Sequence, residues 1–491
     1  PTGFGTLSVL GSLSVASNAL TGGVSDWCVG LTALYSFNIS QNSFYTTIPD
    51  SIFLSLGMLS VDLSSNKLYG SVSTALVTLV DLSVFDVSTN LLTGVLPSTG
   101  LNLLTNMEIF SVGGNKFVST IPTQLYSLTK MKVLIIGPNQ LTGTLSNGLD
   151  AMSGLLTLDT GGNNLNGLMP TTLEKINLLT FVDLSSNTFT GPIPINIFTT
   201  LVGLKTCDLS SNALSGTIAT QVGTLSALTL LDLGSNTLTG DIPTTLADMT
   251  QLFSLSLNDN YLTGSIPGDF YTQLTKLVVL DMGENSITGA LPGSIGSLSY
   301  LVLWSVAGNS HISGTIPGDL ASLVVLETLA LGSNAITGTI PASITGLTKL
   351  TTLTLNTNNI TGSIPSDTGD LVSLVTLLLH SNDLTGPIPP SLGSLRLLTD
   401  LELSSNRLTG TLEASFLANM RELVTLQLYG NELTGTIPSS LAVLTNLVEL
   451  GMGANKLIGT IPSNIGDNAR LQWLYLGNND LTGTLPASIY T

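Results

Sequence analysis

Leucine, isoleucine and valine recur along the chain in one frame: an LxL segment, an asparagine three residues later, another apolar residue two positions beyond it, then glycine and an Ile-Pro or Leu-Pro step. The first asparagine in this frame is Asn18 and the last is Asn479, giving 20 repeats; of the 19 intervals between them 14 are 24 residues long and five are 25. Each LxL segment has the period of two that predicts a short β-strand, with its leucines inward and the intervening residues outward. No strand of three residues buries a face alone, so each is expected to pair in parallel with its counterparts in the flanking repeats. A fixed period of this length predicts a solenoid. At about 4.8 Å per strand, the stack would run on the order of 90 Å along the strand side.

Three further positions have physical reasons to recur. The asparagine, as in Asn66, Asn90, Asn187, Asn236, Asn334, Asn406 and Asn455, stands where the chain leaves the strand, and its amide can satisfy backbone groups left unpaired inside the stack. Losing one is expected to cost about 1–3 kcal/mol. Glycine follows four residues later in 18 of the 20 repeats, counting Gly314 after a one-residue insertion, with Thr46 and Ser119 as the exceptions. That points to a turn or a close backbone approach. Sixteen of the 20 prolines share one phase, from Pro1 to Pro486, where a missing N–H suits the exit from a second short strand.

The consensus LxxLxLxxNxLTGxIPxxLxxL, seen in LVDLSVFDVSTNLLTGVLP and LLDLGSNTLTGDIP, resembles the leucine-rich repeat family in its plant-specific subtype, whose mark is the LTGxIP segment. The resemblance runs from end to end. It implies an α/β solenoid, a horseshoe or superhelix of about 20 repeats with a parallel concave sheet, a second short strand per repeat and 3-10 or irregular convex segments. Nothing in the composition divides the chain, so residues 1–491 are expected to form one continuous array. Plant-type members usually carry cysteine-paired caps, and this sequence has none. Both ends are therefore expected to lie inside repeats, within a longer array or covered by something else.

Charge narrows the partners. With 13 Lys and Arg against 31 Asp and Glu, the net charge is −18. An excess of this sign repels nucleic acid and anionic lipid, and no basic run offsets it. No apolar stretch is long enough to insert in a membrane. Cys28 and Cys207 take positions that other repeats give to leucine. About seven repeats separate them, roughly 35 Å at the strand spacing and far beyond the ~7 Å Cα limit of a disulfide, so both are expected to be buried thiols.

Candidate chemistry is sparse. The two histidines, His311 and His380, lie about three repeats apart, and no hydrolase, metalloprotease or phosphate-binding motif occurs. An enzyme is not expected, and no metal or cofactor is required. The outward residue four positions before the asparagine is acidic in Asp62, Asp86, Asp281 and Glu402, and in four consecutive repeats, Asp159, Asp183, Asp208 and Asp232. At about 5 Å, neighbouring charges repel by about 1 kcal/mol in water and about 3 kcal/mol at an effective dielectric of 20. A basic ligand or Ca2+ would relieve that; alternatively the carboxylates are ordinary consensus, solvated or hydrogen-bonded. Tyr429, Trp473 and Tyr475 fall on outward phases and are candidate anchors for a peptide or sugar, unless a further repeat covers them. Two glycosylation sequons, at Asn38 and Asn359, are both expected to be accessible.

The resemblance implies a non-enzymatic extracellular or cell-surface recognition or adhesion module that binds a protein, peptide or glycan on its concave face. Low charge, small residues and absent caps support an alternative, a subunit of an extracellular fibre or coat that self-associates end to end or laterally. A third reading is ice binding through the Thr-Gly-Thr segments, such as Thr142-Gly143-Thr144, Thr337-Gly338-Thr339 and Thr409-Gly410-Thr411, although Asp241 and Ala290 interrupt that ladder.

Overall fold

The computed structural model describes residues 6–24, 29–417 and 419–489. Pro1, Cys28 and Thr491 lie outside the described residues. The chain divides into two units, Pro1–Thr239 and Gly240–Thr491, each holding ten of the ladder asparagines.

In each unit most LxL segments form three-residue strands with a buried centre and two half-buried flanks, as in Thr157–Asp159, Phe181–Asp183, Thr206–Asp208 and Leu230–Asp232. Strands of successive repeats pair in parallel without slippage, so Leu158, Val182, Cys207 and Leu231 stack inward as one row. This is the all-parallel pairing that a period-2 strand with one buried face requires.

Immediately before the ladder asparagine the backbone turns through the left-handed region, for example at Ser65 (φ 52°), Ser186 (φ 50°), Asp259 (φ 52°) and Ala454 (φ 49°). The asparagine then closes the turn. Asn187 Nδ2 donates to the carbonyls of Leu184 (3.2 Å) and Ser185 (3.0 Å) in its own repeat and of Thr160 (3.0 Å) in the preceding one, while its Oδ1 accepts from Leu165 N (2.9 Å). Asn66, Asn90, Asn236, Asn406 and Asn455 make the same four bonds. Asn334 differs. Its three donor bonds are intact, but its Oδ1 is buried without a partner. The preceding repeat carries the extra residue of the Asn-Ser-His-Ile segment, where the His311 N–H turns back to Asn309 O (2.6 Å).

The second strands, such as Gln140–Thr144, bury one leucine and leave their other residues outward. In the first unit they pair continuously from Tyr69–Gly70 onward; in the second they form short patches and single bridges. The proline that follows sits extended at the entrance to a 3-10 turn, as Pro170 does before Thr171–Lys175. Three of the five 25-residue repeats replace that turn with α-helix: Ile195–Thr200, Phe270–Gln273 and Ala414–Leu417. An α-helix rises about 1.5 Å per residue against about 2.0 Å for 3-10, so an added residue fits the same span.

Candidate functional site

Period two leaves two outward rows on the first sheet of each unit, and these rows hold most of the candidate chemistry. In the first unit Asp159 pairs with Asp183, Asp183 with Asp208, and Asp208 with Asp232, residue against residue. All four are half-buried. Each also closes a local turn, in which its Oδ1 accepts from the backbone N–H two residues on, at Gly161 (3.0 Å), Ser185 (2.9 Å), Ser210 (3.0 Å) and Gly234 (2.9 Å). Ser210 Oγ adds a second donor to Asp208 at 2.6 Å. The carboxylates therefore serve as turn acceptors and as a charged row at once.

Crowding shows in their acidity. Burial, and then the Asp183 and Asp208 carboxylates, push Asp159 up to about 6. Asp208 is likewise raised, mainly by burial. Behind the row the Cys207 thiol is pushed up to about 12 by burial and by Asp208, Asp183 and Asp232, so this cysteine is an inert core thiol. Among the described residues no group of three or more His, Cys, Asp or Glu side chains is placed to hold a metal ion.

Asp62 and Asp86 pair in the same row. From Asp86 toward Asp159 the half-buried Val84, Ile109, Val133 and Ile135 form an apolar stretch that was not singled out in the sequence. Period two alone could have located it.

In the second unit Trp473 and Tyr475 lie outward on one strand, exposed by 46% and 51%, and Tyr429 is exposed by 47% in the turn after its strand. The repeat between them presents Gly451 and Gly453. Gln427 lies over the Cβ position that Gly451 lacks, and the Tyr429 ring lies 3.2 Å from the corresponding point at Gly453. Gly451 thus leaves room for the Gln427 side chain and Gly453 for the Tyr429 ring. Glu449, missed in the sequence, is half-buried on the same face and pairs with Trp473.

The sequons differ in setting. Asn359 is exposed, whereas Asn38 is half-buried and its Oδ1 accepts from Ser40 N (2.9 Å) and Ser40 Oγ (2.8 Å). The accessibility expected of Asn38 is therefore only partial. In two of the Thr-Gly-Thr segments the first hydroxyl donates into the preceding repeat at close range, Thr337 Oγ1 to Gly314 O (3.0 Å) and Thr434 Oγ1 to Gly410 O (3.2 Å). The second threonine packs its methyl on the next glycine, with Thr339 Cγ2 2.7 Å from where a Cβ of Gly362 would stand. Both threonines of each segment remain exposed.

Comparison with known proteins agrees with this geometry. Family models described as leucine rich repeat match residues 202–262 and 324–384, and residues 276–298, 422–444 and 470–491. No curated protein sequence matches the chain. Among solved structures, the ectodomain of the Arabidopsis receptor kinase HAESA, in complex with an extended IDA peptide hormone, is similar over 99% of this chain and 81% of its own, with 29% identity and a TM-score of 0.91. The plant peptide hormone receptor RGFR1 in complex with RGF2 is similar over 98% and 80%, with 29% identity and a TM-score of 0.83. The Arabidopsis thaliana receptor kinase GASSHO1/SCHENGEN3, with CASPARIAN STRIP INTEGRITY FACTOR 2, is similar over 100% and 67%, with 28% identity and a TM-score of 0.84. With its asparagine rows, parallel strands and LTGxIP second strands, the chain is a leucine-rich repeat protein of the plant type.

Proposed function

We propose that the protein is a non-enzymatic extracellular recognition module that binds a peptide or protein partner on the outward face of its first sheet. The observation that carries this reading is the in-register row of Asp159, Asp183, Asp208 and Asp232, beside an apolar stretch on the same face. Similar structures that hold peptide hormones support the class of ligand. An extended peptide with basic residues over the carboxylates and apolar residues over Ile109, Val133 and Ile135 matches the surface in charge and polarity. Extracellular placement fits these neighbours, and Asn359 is the sequon best set to carry a glycan. No helix among the described residues is long and apolar enough to cross a membrane.

Calorimetric titration of hexalysine and hexaglutamate tests this reading. Hexalysine is expected to bind, more weakly as salt rises, and to lose affinity when Asp183→Asn and Asp208→Asn are combined. Equal behaviour of the two peptides, or an indifferent double variant, would overturn it.

A further inference from the structure

In the first unit two exposed tyrosines lie ring against ring. The position three after the ladder asparagine is threonine in most repeats, as in Thr93, Thr142, Thr190 and Thr239, but after Asn42 and Asn66 it is Tyr45 and Tyr69. The backbone holds these two segments side by side: Lys67 N donates to Phe44 O (2.9 Å), Tyr69 N donates to Thr46 O (3.0 Å), and Thr47 bridges to Tyr69 in parallel. The ring centroids lie 4.8 Å apart with 41° between their planes, a separation equal to the spacing of neighbouring strands, about 4.8 Å. Rings at this distance are in van der Waals contact.

Among the described residues this ring pair differs from the others in being open to solvent. Phe85 with Phe110, and Phe270 with Tyr271, are pairs within the core, whereas Tyr45 is exposed by 62% and Tyr69 by 40%. Neither phenol fills the core, so burial does not account for two large rings where other repeats have threonine. Tyr35, Tyr261 and Tyr300 are exposed as well, but among the described residues none of them has a second ring beside it. Two phenols in contact and in reach of solvent have one chemistry that a single phenol lacks: they can couple to each other.

We propose that Tyr45 and Tyr69 form a site of oxidative cross-linking, joined as a dityrosine when the protein meets hydrogen peroxide and a peroxidase. Each phenol gives up one electron and its hydroxyl proton, and the two phenoxyl radicals form a bond from Cε of one ring to Cε of the other. The hydrogens on those two carbons then move to the oxygens and restore both phenols. Hydrogen peroxide takes up the two electrons and two protons and leaves as two waters. The backbone has already brought the rings together, so coupling within the chain outruns coupling between chains. The product ties two consecutive repeats covalently and closes the loop between them. It shares with the peptide-binding reading only the extracellular setting, and none of the four aspartates takes part.

The test oxidises the whole chain at low concentration with a peroxidase and hydrogen peroxide, isolates the monomer and digests it with trypsin. Cleavage after Lys67 leaves Tyr45 on segment 1–67 and Tyr69, as its one tyrosine, on segment 68–116. The expected result is dityrosine fluorescence in the monomer and a joined fragment of these two segments, two hydrogen atoms lighter than their sum. Its yield per chain should not change on roughly 10-fold dilution, as for any reaction within one molecule. Both signals should vanish in Tyr45→Phe and in Tyr69→Phe, which keep the rings, and persist in Tyr35→Phe, which removes the other tyrosine of segment 1–67. Dityrosine confined to dimers, a joined fragment that survives Tyr45→Phe, or an oxidised monomer without the joined fragment would overturn the proposal. Hexalysine titration of the same Tyr45→Phe variant keeps the two readings apart, because peptide binding is expected to be unchanged there whether or not the cross-link forms.

Discussion

Asp159 and Asp183 face each other across a parallel ladder as register partners, each with one carboxylate oxygen held by the backbone N–H two residues on. The turn fixes the side chains and the ladder fixes their spacing, so neither charge can swing away without giving up a hydrogen bond. That is how an acidic row persists despite its own repulsion.

Stability should therefore depend on pH at this row. Asp159 is held at about 6 against an ordinary 3.8, so the folded chain binds its proton more tightly than the unfolded chain does. The contribution is present below about pH 4 and is lost as pH rises toward 6. Asn38 occupies the same row and makes the same turn bond, so Asp159→Asn should keep the turn. The expected result is a higher denaturation midpoint for Asp159→Asn than for wild type at pH 7, with the difference shrinking by pH 4.

The asparagine row gives an internal comparison. Asn187→Ala removes the amide's contacts to three carbonyls, shared between its two N–H groups, and one acceptor bond inside the stack, and should destabilise by about 1–3 kcal/mol. Asn334→Ala loses only the donor bonds, because the Oδ1 of Asn334 already lacks a partner. Its cost should be measurably smaller in urea unfolding. Equal costs would mean that the acceptor bond contributes nothing.

Glycine in the second strand is required twice over at Gly338, where φ is 76° and an added Cβ would come 2.7 Å from Thr315 Cγ2. Gly338→Ala should destabilise by at least about 1–2 kcal/mol. Ser119 stands in the glycine position with φ 79°, so Ser119→Gly should relieve strain and raise the melting temperature.

Cys207 should be silent in the folded protein. With the thiol at about 12 and buried, a disulfide reagent at pH 8 should label Cys207 in a Cys28→Ser background only after denaturation. Rapid labelling of the native chain would contradict its place in the core.

Much of the fold could be read from the chain because each repeat tests the same frame again. Period two in the LxL segments located the strands and their outward rows, and the asparagine marked each turn. Other devices left no mark. The left-handed residue before the asparagine is Ser65 in one repeat, Asp259 in another and Ala454 in a third, since the stack imposes that conformation whatever the side chain. The bonds of the exposed Thr337 and Thr434 hydroxyls to Gly314 and Gly410 are another such device; spacing shows the phase of a residue but not its rotamer. At the candidate sites the aspartates could be placed in one row, but their turn bonds could not. The lean of Tyr429 over Gly453 depends on a side chain that is absent.

Photo-crosslinking tests the central claim most directly. A hexalysine peptide bearing a benzophenone, bound to the whole chain and mapped by mass spectrometry, should attach to strands Thr157–Asp159, Phe181–Asp183, Thr206–Asp208 and Leu230–Asp232 and should lose those attachments in the combined Asp183→Asn and Asp208→Asn variant. Attachment to the 3-10 segments instead, such as Thr171–Lys175 and Thr220–Thr224, with no change in the variant, would contradict recognition on the outward face of the sheet.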